Sequence, residues 1–338
     1  MYFLSKLKGD LNGKVVLLRL DLNVEKVKDA LRLSAALPTI KLLLKKKARV
    51  LIISHRGRPA RREPALSLKF CLNFFEKQAG RKIKFFKDIP AVLPVGQLFV
   101  LENLRFWPGE QKGDIKFAQK LAKLGDLYVN DAFGTVHRAD ASVVKLPKLL
   151  PAYAGLLLEK EIKVLKSVMR SPRKPLVLIF GGAKVKDKLP VIKKLLPKAT
   201  TVLLGSSAIN NRKSIPKSKK IWWPLDWLTD NGQPLDIGPL TVAAYRSVIK
   251  KAKTIIWNGP VGYFENKRFA VGSVAIANAV VAGKAMTIIG GGETTMLVQG
   301  VASNNKLASK KNLFLSTGGG AMLEFLSGKE LPGIKALK

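Results

Sequence analysis

The sequence is poor in cysteine, in acidic residues and in long apolar runs, and each shortage excludes a class of protein. The one cysteine, Cys71, excludes an internal disulfide and fits a reducing compartment. The longest apolar runs have only the length of a β-strand, so we expect no membrane segment. Residues 1–6 lack the basic region, the apolar stretch and the small-residue cleavage site of a signal peptide. We therefore expect a cytoplasmic protein.

The shortage of acidic residues leaves a large positive charge. Only 23 Asp and Glu oppose 60 Lys and Arg, and the formal net charge is +37. Such a balance points to nucleic acid, an anionic surface or anionic small substrates as partners. The excess is spread evenly, with +17 in residues 1–150 and +20 in residues 151–338. A nucleic-acid module usually concentrates its charge on one face or arm, so we expect no specific nucleic-acid partner, only nonspecific polyanion binding at low salt.

The pattern of apolar residues predicts an α/β protein. Hydrophobic residues make up 47% of the chain, enough for about two cores in 338 residues. Short β-branched runs alternate with longer helical patterns, which is typical of βαβ units and parallel sheets. The helical patterns include Ala30–Lys45 and Ala152–Met169, and residues 206–238 are predicted to be mostly loop. The predicted strands are Val15–Leu20, Val50–Ile53, Leu98–Leu101, Leu127–Val129, Leu176–Phe180, Thr201–Leu204, Thr254–Trp257, Met286–Ile289 and Leu313–Leu315.

This rhythm divides into two halves. We expect two doubly wound, Rossmann-like domains with parallel sheets, joined by a hinge helix. The expected boundaries are 1–153 for the first domain, 154–170 for the helix and 171–319 for the second domain.

Polar residues follow each predicted strand of the first half, where ligands bind in doubly wound sheets. If these strand ends converge, several arginines and both histidines face one cleft. Arginine forks match phosphate and carboxylate oxygens, so the pattern predicts a small substrate with more than one anionic group. The residues are Asp21 and Asn23, then His55, Arg56 and Arg58, then Glu102, Asn103 and Arg105, and finally the run from Asn130 to Arg138.

Glycine follows the predicted strands of the second half. The glycine runs are Gly181-Gly182, Gly259, Gly290–Gly292 and Gly318–Gly320. Glycine lets backbone approach a ligand closely, and helix N-termini offer free N–H groups to phosphate. Lys184 and Lys188 follow one such turn at helical spacing, and Glu293 is the natural Mg²⁺ ligand there. Neither a P-loop nor a G-x-G-x-x-G fingerprint is present, so this is no standard site of those two kinds.

The first half thus offers arginines that could bind an anionic substrate, and the second half offers glycine loops that could bind phosphate. Together they suggest a kinase with two half-sites. These motifs, in this order, closely resemble the phosphoglycerate kinase family over nearly the whole chain. The resemblance is carried by Arg19–Val24, Leu37–Ile40, Ser54–Pro59, Leu101–Phe106, Asn130–Arg138, Gly181–Lys188, Asp236–Pro239, Trp257–Pro260, the two triple-glycine loops and Leu331–Gly333.

The resemblance implies a phosphotransferase with a carboxyl group as acceptor. It would transfer the acyl phosphate of 1,3-bisphosphoglycerate to Mg-ADP, giving 3-phosphoglycerate and ATP in glycolysis or gluconeogenesis. It also implies a monomer, and a C-terminal segment 320–338 that packs back on the first domain. Arg32 would face the reacting carboxyl-phosphate, and three arginines would hold the distal phosphate. The implied phosphoglycerate-binding residues are Asp21, Asn23, Arg32, His55, Arg58, Arg105 and Arg138.

On the nucleotide side the resemblance implies that Lys184 stabilises the phosphoryl group in flight, that Glu265 binds the ribose and that Glu293 binds Mg²⁺. Arg32, Lys184, Gly292 and Gly319 would be the catalytic positions. No general base is required, because the acceptor is already ionised. The implied nucleotide-binding residues are Gly181, Gly182, Lys184, Lys188, Asn258, Gly259, Glu265, Gly290, Gly291, Gly292, Glu293 and Thr294.

The chain departs from the family pattern mainly in length. Most of the loss falls after Leu204, in a stretch that helps to wall the adenine pocket in the family. Glu293 stands where aspartate is commoner. Two alternatives to an active kinase stay open: a non-catalytic relative that binds phosphoglycerate or nucleotide, and a polyanion-binding protein on this fold. All the assigned charged positions are filled, which favours the enzyme.

Overall fold

A computed structural model describes residues 1–24, 31–304 and 312–338 of the chain. They form two compact units, one of Met1–Lys163 with Glu330–Lys338, the other of Val164–Lys329. The boundary between the two units falls inside one helix, Leu156–Arg170. The C-terminal segment Glu330–Lys338 is grouped with the first unit.

The first unit is built on a seven-stranded sheet in which every neighbouring pair of strands is parallel. The order across the sheet is β1-β7-β6-β2-β3-β5-β4. The central strands are continuous buried apolar runs, as expected where a sheet has helices on both faces. The strands are β1 Tyr2–Phe3, β2 Val15–Arg19, β3 Arg49–Ile53, β4 Ile83–Phe86, β5 Leu98–Leu101, β6 Leu127–Asn130 and β7 Ala152–Ala154.

Seven helices accompany this sheet in the described residues, the sixth of them crossing the unit boundary. The predicted helix Ala30–Lys45 is observed as α1, with residue 30 outside the described ranges. Asp114 caps α4, because its carboxylate accepts from the N–H groups of Lys116 and Phe117. The helices are α1 Leu31–Lys45, α2 Leu72–Ala79, α3 Pro108–Gln111, α4 Ile115–Ala122, α5 Ala141–Val144, α6 Leu156–Arg170 and, after the second unit, α12 Pro332–Lys335.

The last of these helices is locked onto the first unit at Gly333. Its N–H donates to the Val136 carbonyl at 2.8 Å. A Cβ on Gly333 would lie 2.7 Å from Val143 Cγ1 and 2.9 Å from Val136 Cα, so only glycine fits this contact.

The second unit is built on a six-stranded parallel sheet of order β10-β9-β8-β13-β14-β15, with a separate antiparallel hairpin, β11-β12. Its core surrounds the fully buried Trp257. The strands are β8 Leu176–Phe180, β9 Thr201–Leu204, β10 Ile221–Trp222, β11 Trp227–Asp230, β12 Gln233–Ile237, β13 Thr254–Asn258, β14 Met286–Gly290 and β15 Leu313–Leu315.

Five helices lie wholly within the described part of the second unit. Asp226 holds the start of α8, because its carboxylate accepts from the N–H groups of Leu240 and Thr241. No helix in the three described ranges is both long and apolar enough to cross a membrane. The helices are α7 Leu189–Leu195, α8 Pro239–Lys251, α9 Val271–Ala282, α10 Gly292–Asn304 and α11 Gly319–Leu326.

The two parallel α/β sheets confirm the predicted fold class. Two local predictions were wrong. The helix predicted from Ala152 begins only at Leu156, because residues 152–154 form a short strand between β6 and β1. Residues 206–238, predicted to be mostly loop, contain a 3₁₀ segment, Ser206–Ser214, as well as β10 and the hairpin.

Candidate active site

Each of the four adjacent strands β6, β2, β3 and β5 delivers a predicted site residue to the same edge of the first sheet. Asp21 and Asn23 follow β2, and His55 and Arg58 follow β3. Because parallel strands end at one edge, these segments gather there. Arg105 follows β5 and Arg138 follows β6.

A fully buried arginine, Arg19, lies at the end of β2 beneath this edge. Its Nε donates to Ser142 Oγ at 2.9 Å, and one terminal nitrogen lies 3.1 Å from His55 Nδ1. The same nitrogen lies 4.0 Å from a carboxylate oxygen of Glu110. Arg19 therefore links two of the strand ends to the helical layer behind them.

Glu110 is the buried counter-ion of that arginine. It is fully buried and accepts from the Ser142 N–H at 2.9 Å and from Ser142 Oγ at 2.5 Å. Burial raises the pKa of Glu110, while Arg19 and the two Ser142 bonds oppose the rise. The sequence analysis missed Glu110 and Ser142, because neither sits in an apolar pattern that marks a buried position.

The pKa of His55 reflects its burial and the positive charge of the surrounding arginines. Its pKa is held well below the ordinary value, first by burial and then by Arg19, Arg105, Arg138 and Arg32, in that order. Four guanidinium groups are thus close enough to disfavour a further positive charge. His55 is consequently neutral at pH 7, and its buried Nε2 has no hydrogen-bond partner among the described residues.

Two of these arginines have a buried N–H group that donates to no described residue. Arg105 donates to the Gly57 carbonyl at 2.6 Å and pairs with Asp140 at 3.3 Å. Burial lowers the pKa of Arg105, and Asp140 opposes that change. The Nε atoms of Arg105 and Arg138 are nevertheless buried without a partner within the described ranges. A buried cationic donor without an acceptor is costly, so this arrangement is suited to an anionic ligand.

The loop after β2 is held by Arg32. One terminal nitrogen of Arg32 lies 3.5 Å from an Asp21 carboxylate oxygen and donates to the Asn23 carbonyl at 2.5 Å. Asn23 Oδ1 in turn accepts from the Gly57 N–H at 2.8 Å. Arg58 differs from the others: it is exposed and forms no ion pair with any described residue, so no contact joins it to the cluster.

In the second unit, the glycine loops after β8, β13 and β14 lie in direct backbone contact. A Cβ on Gly181 would lie 1.9 Å from the Pro260 carbonyl oxygen, and one on Gly259 would lie 2.1 Å from the Gly181 carbonyl oxygen. A Cβ on Gly319 would lie 2.7 Å from Gly291 Cα. Glycine is required at these positions because any larger residue would separate the loops.

Polar side chains fix these loops from beneath. Thr294, fully buried at the start of α10, accepts from the Gly259 N–H at 2.8 Å. Asn258 is buried, and its Nδ2 has no hydrogen-bond partner in the described part of the chain. That amide would lie 3.3 Å from a Cβ on Gly290, so it is placed beside the loop after β14. The Asn258 amide is thus a donor available to a ligand there.

Two lysines and a carboxylate lie near the first glycine turn. Lys188 is buried, and its Nζ donates to the Lys184 carbonyl at 3.0 Å. Burial lowers the pKa of Lys188; Asp187 and Glu293 oppose this, and Lys184 adds to it. Lys184 and Glu293 are themselves exposed. The structure thus brings Lys184, Lys188 and Glu293 into one neighbourhood.

The side chains near the glycine loops could hold Mg²⁺ only together with substrate phosphates and water. Within residues 1–24, 31–304 and 312–338, no three His, Cys, Asp or Glu side chains cluster as a metal site. Mg²⁺ is commonly held by one or two carboxylates together with substrate phosphates and water. A single exposed carboxylate at Glu293, beside a glycine loop, is consistent with that mode.

Two further observations concern the edges of this half-site. Glu265 is exposed in the connection between β13 and α9, and no contact among the described residues joins it to the glycine loops. Gly292 has open space where a Cβ would lie, and Gly320 has the same. Ser207, in the 3₁₀ segment Ser206–Ser214, donates to the Gly182 carbonyl at 2.9 Å. The sequence gives no sign of this supporting serine, because its pattern predicts a loop for the segment.

A protein-family model described as phosphoglycerate kinase matches residues 6–221 and 206–329. The two matches overlap where the sequence analysis expected a missing segment. The phosphoglycerate kinase of Moorella thermoacetica is 39% identical, covering 97% of this chain and 97% of that protein. The one of Pseudothermotoga lettingae is 38% identical, covering 97% and 96%. The first alignment spans 386 positions, so that relative carries segments that this chain of 338 residues lacks.

Solved structures agree with these relatives. The phosphoglycerate kinase of Coxiella burnetii matches with a TM-score of 0.82 and 32% identity, covering 99% of this chain and 98% of that one. The enzyme of Pyrococcus horikoshii OT3 matches with a TM-score of 0.84 and 30% identity, covering 100% and 98%. With the fold, the order of the motifs and the sequence relatives in agreement, the chain belongs to the phosphoglycerate kinase family.

Proposed function

We propose that this chain catalyses reversible phosphoryl transfer from 1,3-bisphosphoglycerate to Mg-ADP, giving 3-phosphoglycerate and ATP. The observation that carries the proposal is the cluster of guanidinium groups around neutral His55, with unpaired buried donors on Arg105 and Arg138. Such a cluster suits a small molecule with two anionic ends. The family relatives carry the name of this activity, and the glycine loops of the second unit supply the phosphate-binding chemistry that it needs.

Phosphoglycerate would bind to the first unit. Arg105 and Arg138 would hold the distal phosphate, because each keeps a buried N–H donor in reserve. Arg58 would complete that clamp from the solvent side, as an exposed cation after β3. Asp21, Asn23 and His55 would position the hydroxyl and carboxyl end, where Arg32 faces the reacting group.

The nucleotide would bind to the second unit. The N–H groups of the loops after β8 and β14 and the Asn258 amide would contact its phosphates. Lys188, Gly259 and Thr294 would fix these loops, and Glu265 would reach the ribose. Glu293 would hold Mg²⁺, which supplies charge neutralisation at the transferring phosphoryl group when bound with the nucleotide.

The chemistry asks for positioning rather than proton transfer. The phosphoryl acceptor is a carboxylate or a phosphate that is already ionised, so no general base is needed. Lys184, exposed beside the first glycine turn, would neutralise charge on the phosphoryl group during transfer. The N–H groups near Gly292 and Gly319 would line the same path.

We also propose a monomeric protein that works in the cytoplasm. A net charge of +37 opposes self-association through repulsion between copies, at least at low salt. Its one cysteine, Cys71, is buried and free, which suits a reducing compartment.

The decisive experiment measures ATP-dependent phosphorylation of 3-phosphoglycerate by purified protein carrying Lys184→Ala. Lys186→Ala is the matched control, because it removes an equal charge from an exposed position two residues away. We expect Lys184→Ala to lower kcat by about 100-fold or more and Lys186→Ala to leave it nearly unchanged.

Other outcomes select the alternatives. Absence of turnover in the unsubstituted chain, with phosphoglycerate binding intact, would establish a non-catalytic binding relative. Equal activity in both variants would show that the turnover comes from a contaminating kinase.

A further inference from the structure

The second unit contains a groove that the proposed reaction does not use. Its volume is about 1320 Å³. Lys253 and Thr254, at the start of β13, and Met286, at the start of β14, line it, so it lies at the amino ends of these strands. The glycine loops lie at the carboxyl ends. Five residues of extended strand separate the two ends by about 16 Å, so this is not the nucleotide half-site.

The groove is lined by cations. Five of them line it: Arg173, Arg246, Lys250, Lys253 and Lys284. None of the five forms an ion pair with another described residue. Among the described residues that line the groove there is neither a carboxylate nor an aromatic ring.

These cations are not explained as caps for helix ends. Helices α6, α8 and α9 all end at the groove, and each C-terminus carries about half a negative charge. Five full positive charges exceed that sum severalfold. The terminal carbonyls of α6, at Met169 and Arg170, already accept from Lys198, which is not among the residues of the groove. A concave surface with one sign of charge also focuses the field, unlike the scattered lysines elsewhere on the chain.

The shape and chemistry restrict the ligand. A volume of about 1320 Å³ exceeds the range of roughly 300–1,000 Å³ typical of small-molecule pockets, so a single phosphate would leave most of the groove unfilled. Nucleobases bind single-strand sites by stacking on aromatic rings, and this lining offers none. The Ser171 hydroxyl lies among the cations and can donate to a phosphate oxygen, whereas the hydroxyls of Ser167 and Ser247 already donate to backbone carbonyls. We propose that this groove binds a linear polyphosphate chain through its phosphate oxygens, independently of the kinase site.

The test uses the full chain and fluorescently labelled inorganic polyphosphate, followed by anisotropy across a salt series. Saturating Mg-ATP and 3-phosphoglycerate are present throughout to occupy the kinase half-sites. The groove variant carries Arg246→Ser, Lys250→Ser and Lys284→Ser. The control variant carries Lys213→Ser, Lys217→Ser and Lys219→Ser, three exposed lysines of the same unit that do not line the groove.

We expect the groove variant to bind polyphosphate about tenfold more weakly or worse, with a salt dependence shallower by about two in the log–log slope. The control variant is expected to stay within about twofold of the unsubstituted chain. Kinase turnover is expected to be unchanged in both, which verifies folding. The single substitution Lys250→Ser is expected to give a smaller loss in the same direction.

Several results would overturn the proposal. Equal weakening in the two triple variants would mean that only the diffuse charge of the chain binds. Absence of binding under these conditions, with binding restored in a parallel titration without Mg-ATP, would place the polyphosphate in the nucleotide half-site. Tighter, salt-resistant binding of transfer RNA through the same three residues would replace polyphosphate with nucleic acid as the ligand.

Discussion

The two proposed half-sites would hold anions by opposite means. In the first unit the proposed anion-binding groups are guanidinium side chains, and buried carboxylates pair with arginines there, Asp140 with Arg105 and Glu110 with the supporting Arg19. In the second unit they are mostly backbone N–H groups, presented by loops so close that a Cβ on Gly181 would clash with Pro260. The first arrangement would depend on charge and the second on the absence of side chains.

This difference determines how each half-site fails. Burying charged groups costs several kcal/mol per ion unless each has a partner, so the first half-site depends on its counter-ions. The glycine loops carry no such desolvation cost, but they tolerate no added volume. Charge changes are therefore expected to damage the first unit through stability, and volume changes to damage the second through ligand binding.

The largest expected effect is the loss of stability on removing the buried charge of Arg19. Arg19→Met leaves Glu110 buried without its cation, and such a break costs about 3–5 kcal/mol of unfolding free energy. Lys14→Met is the control, because its ion pair with Asp126 at 3.3 Å is exposed and should cost about 1 kcal/mol or less. Calorimetry on both variants measures the two costs.

A second substitution separates charge from packing in this variant. If the loss arises from the unpaired carboxylate, adding Glu110→Gln to Arg19→Met restores part of the stability. A cost for Arg19→Met no greater than that for Lys14→Met would show that the first half-site does not depend on its buried pair.

The next effect is a loss of nucleotide binding without a loss of stability. Gly292→Ala introduces a methyl group where the structure has open space, so the chain folds as before. The methyl group would occupy the path where phosphates approach the backbone, and we expect an affinity for ADP lower by about 30- to 100-fold, or about 2–3 kcal/mol. Titration calorimetry with Mg-ADP measures this.

Gly300→Ala is the matched control, since it lies in the same helix and its Cβ would also meet nothing within 4 Å. It should leave nucleotide affinity unchanged and stabilise the helix by about 0.5–1 kcal/mol. Equal nucleotide affinity in the two variants would mean that ligands do not approach the backbone at Gly292.

The smallest expected effect is on the pH dependence of stability, which we compare between one buried carboxyl group in each unit. Burial raises the pKa of Asp131 to about 7, above the ordinary 3.8, against the hydrogen bonds from Thr39, Leu158 and Leu157. One oxygen, Oδ2, is buried without a described partner. A carboxyl group that binds its proton more tightly when folded contributes stability below the unfolded pKa, and that contribution is lost as the pH rises through about 7.

We therefore expect Asp131→Asn to gain about 1 kcal/mol relative to the unsubstituted chain between pH 6 and pH 8. Asp236, in the second unit, accepts from the N–H groups of Ile237 and Gly272, and its pKa is raised only to about 6. Asp236→Asn should show a smaller change over this window. Chemical denaturation at the two pH values measures both, and a flat difference for Asp131→Asn would contradict the prediction.

Much of the architecture could be predicted because local sequence patterns mark its strands and helices. Strands such as Leu98–Leu101 are continuous apolar runs bounded by polar residues, and four predicted strands agree with the structure to the residue. Two short strands were missed, because Tyr2–Phe3 and Ala152–Ala154 are too short for a period to appear. The hairpin β11-β12 was missed because its outer face, led by Trp227, is exposed.

The anion-binding residues could be proposed from sequence because strand ends in a parallel sheet meet at one edge. Their supports could not. Glu110 lies 91 positions from Arg19 in the sequence, and the two side chains come together only when the chain has folded. Ser207 reaches Gly182 from a segment whose irregular 3₁₀ backbone has no repeating apolar signal. Long-range polar contacts of this kind leave no period in the sequence.

The Gly333 contact can form only at the end of protein synthesis. Translation adds residues 330–338 only after all of Val164–Lys329 has been made. Until then the Val136 carbonyl, two residues before Arg138, cannot receive the Gly333 N–H. The first unit of a nascent chain therefore lacks the Gly333 hydrogen bond while the ribosome makes the entire second unit, and a chain stalled in that interval would carry the proposed phosphoglycerate half-site without this bond.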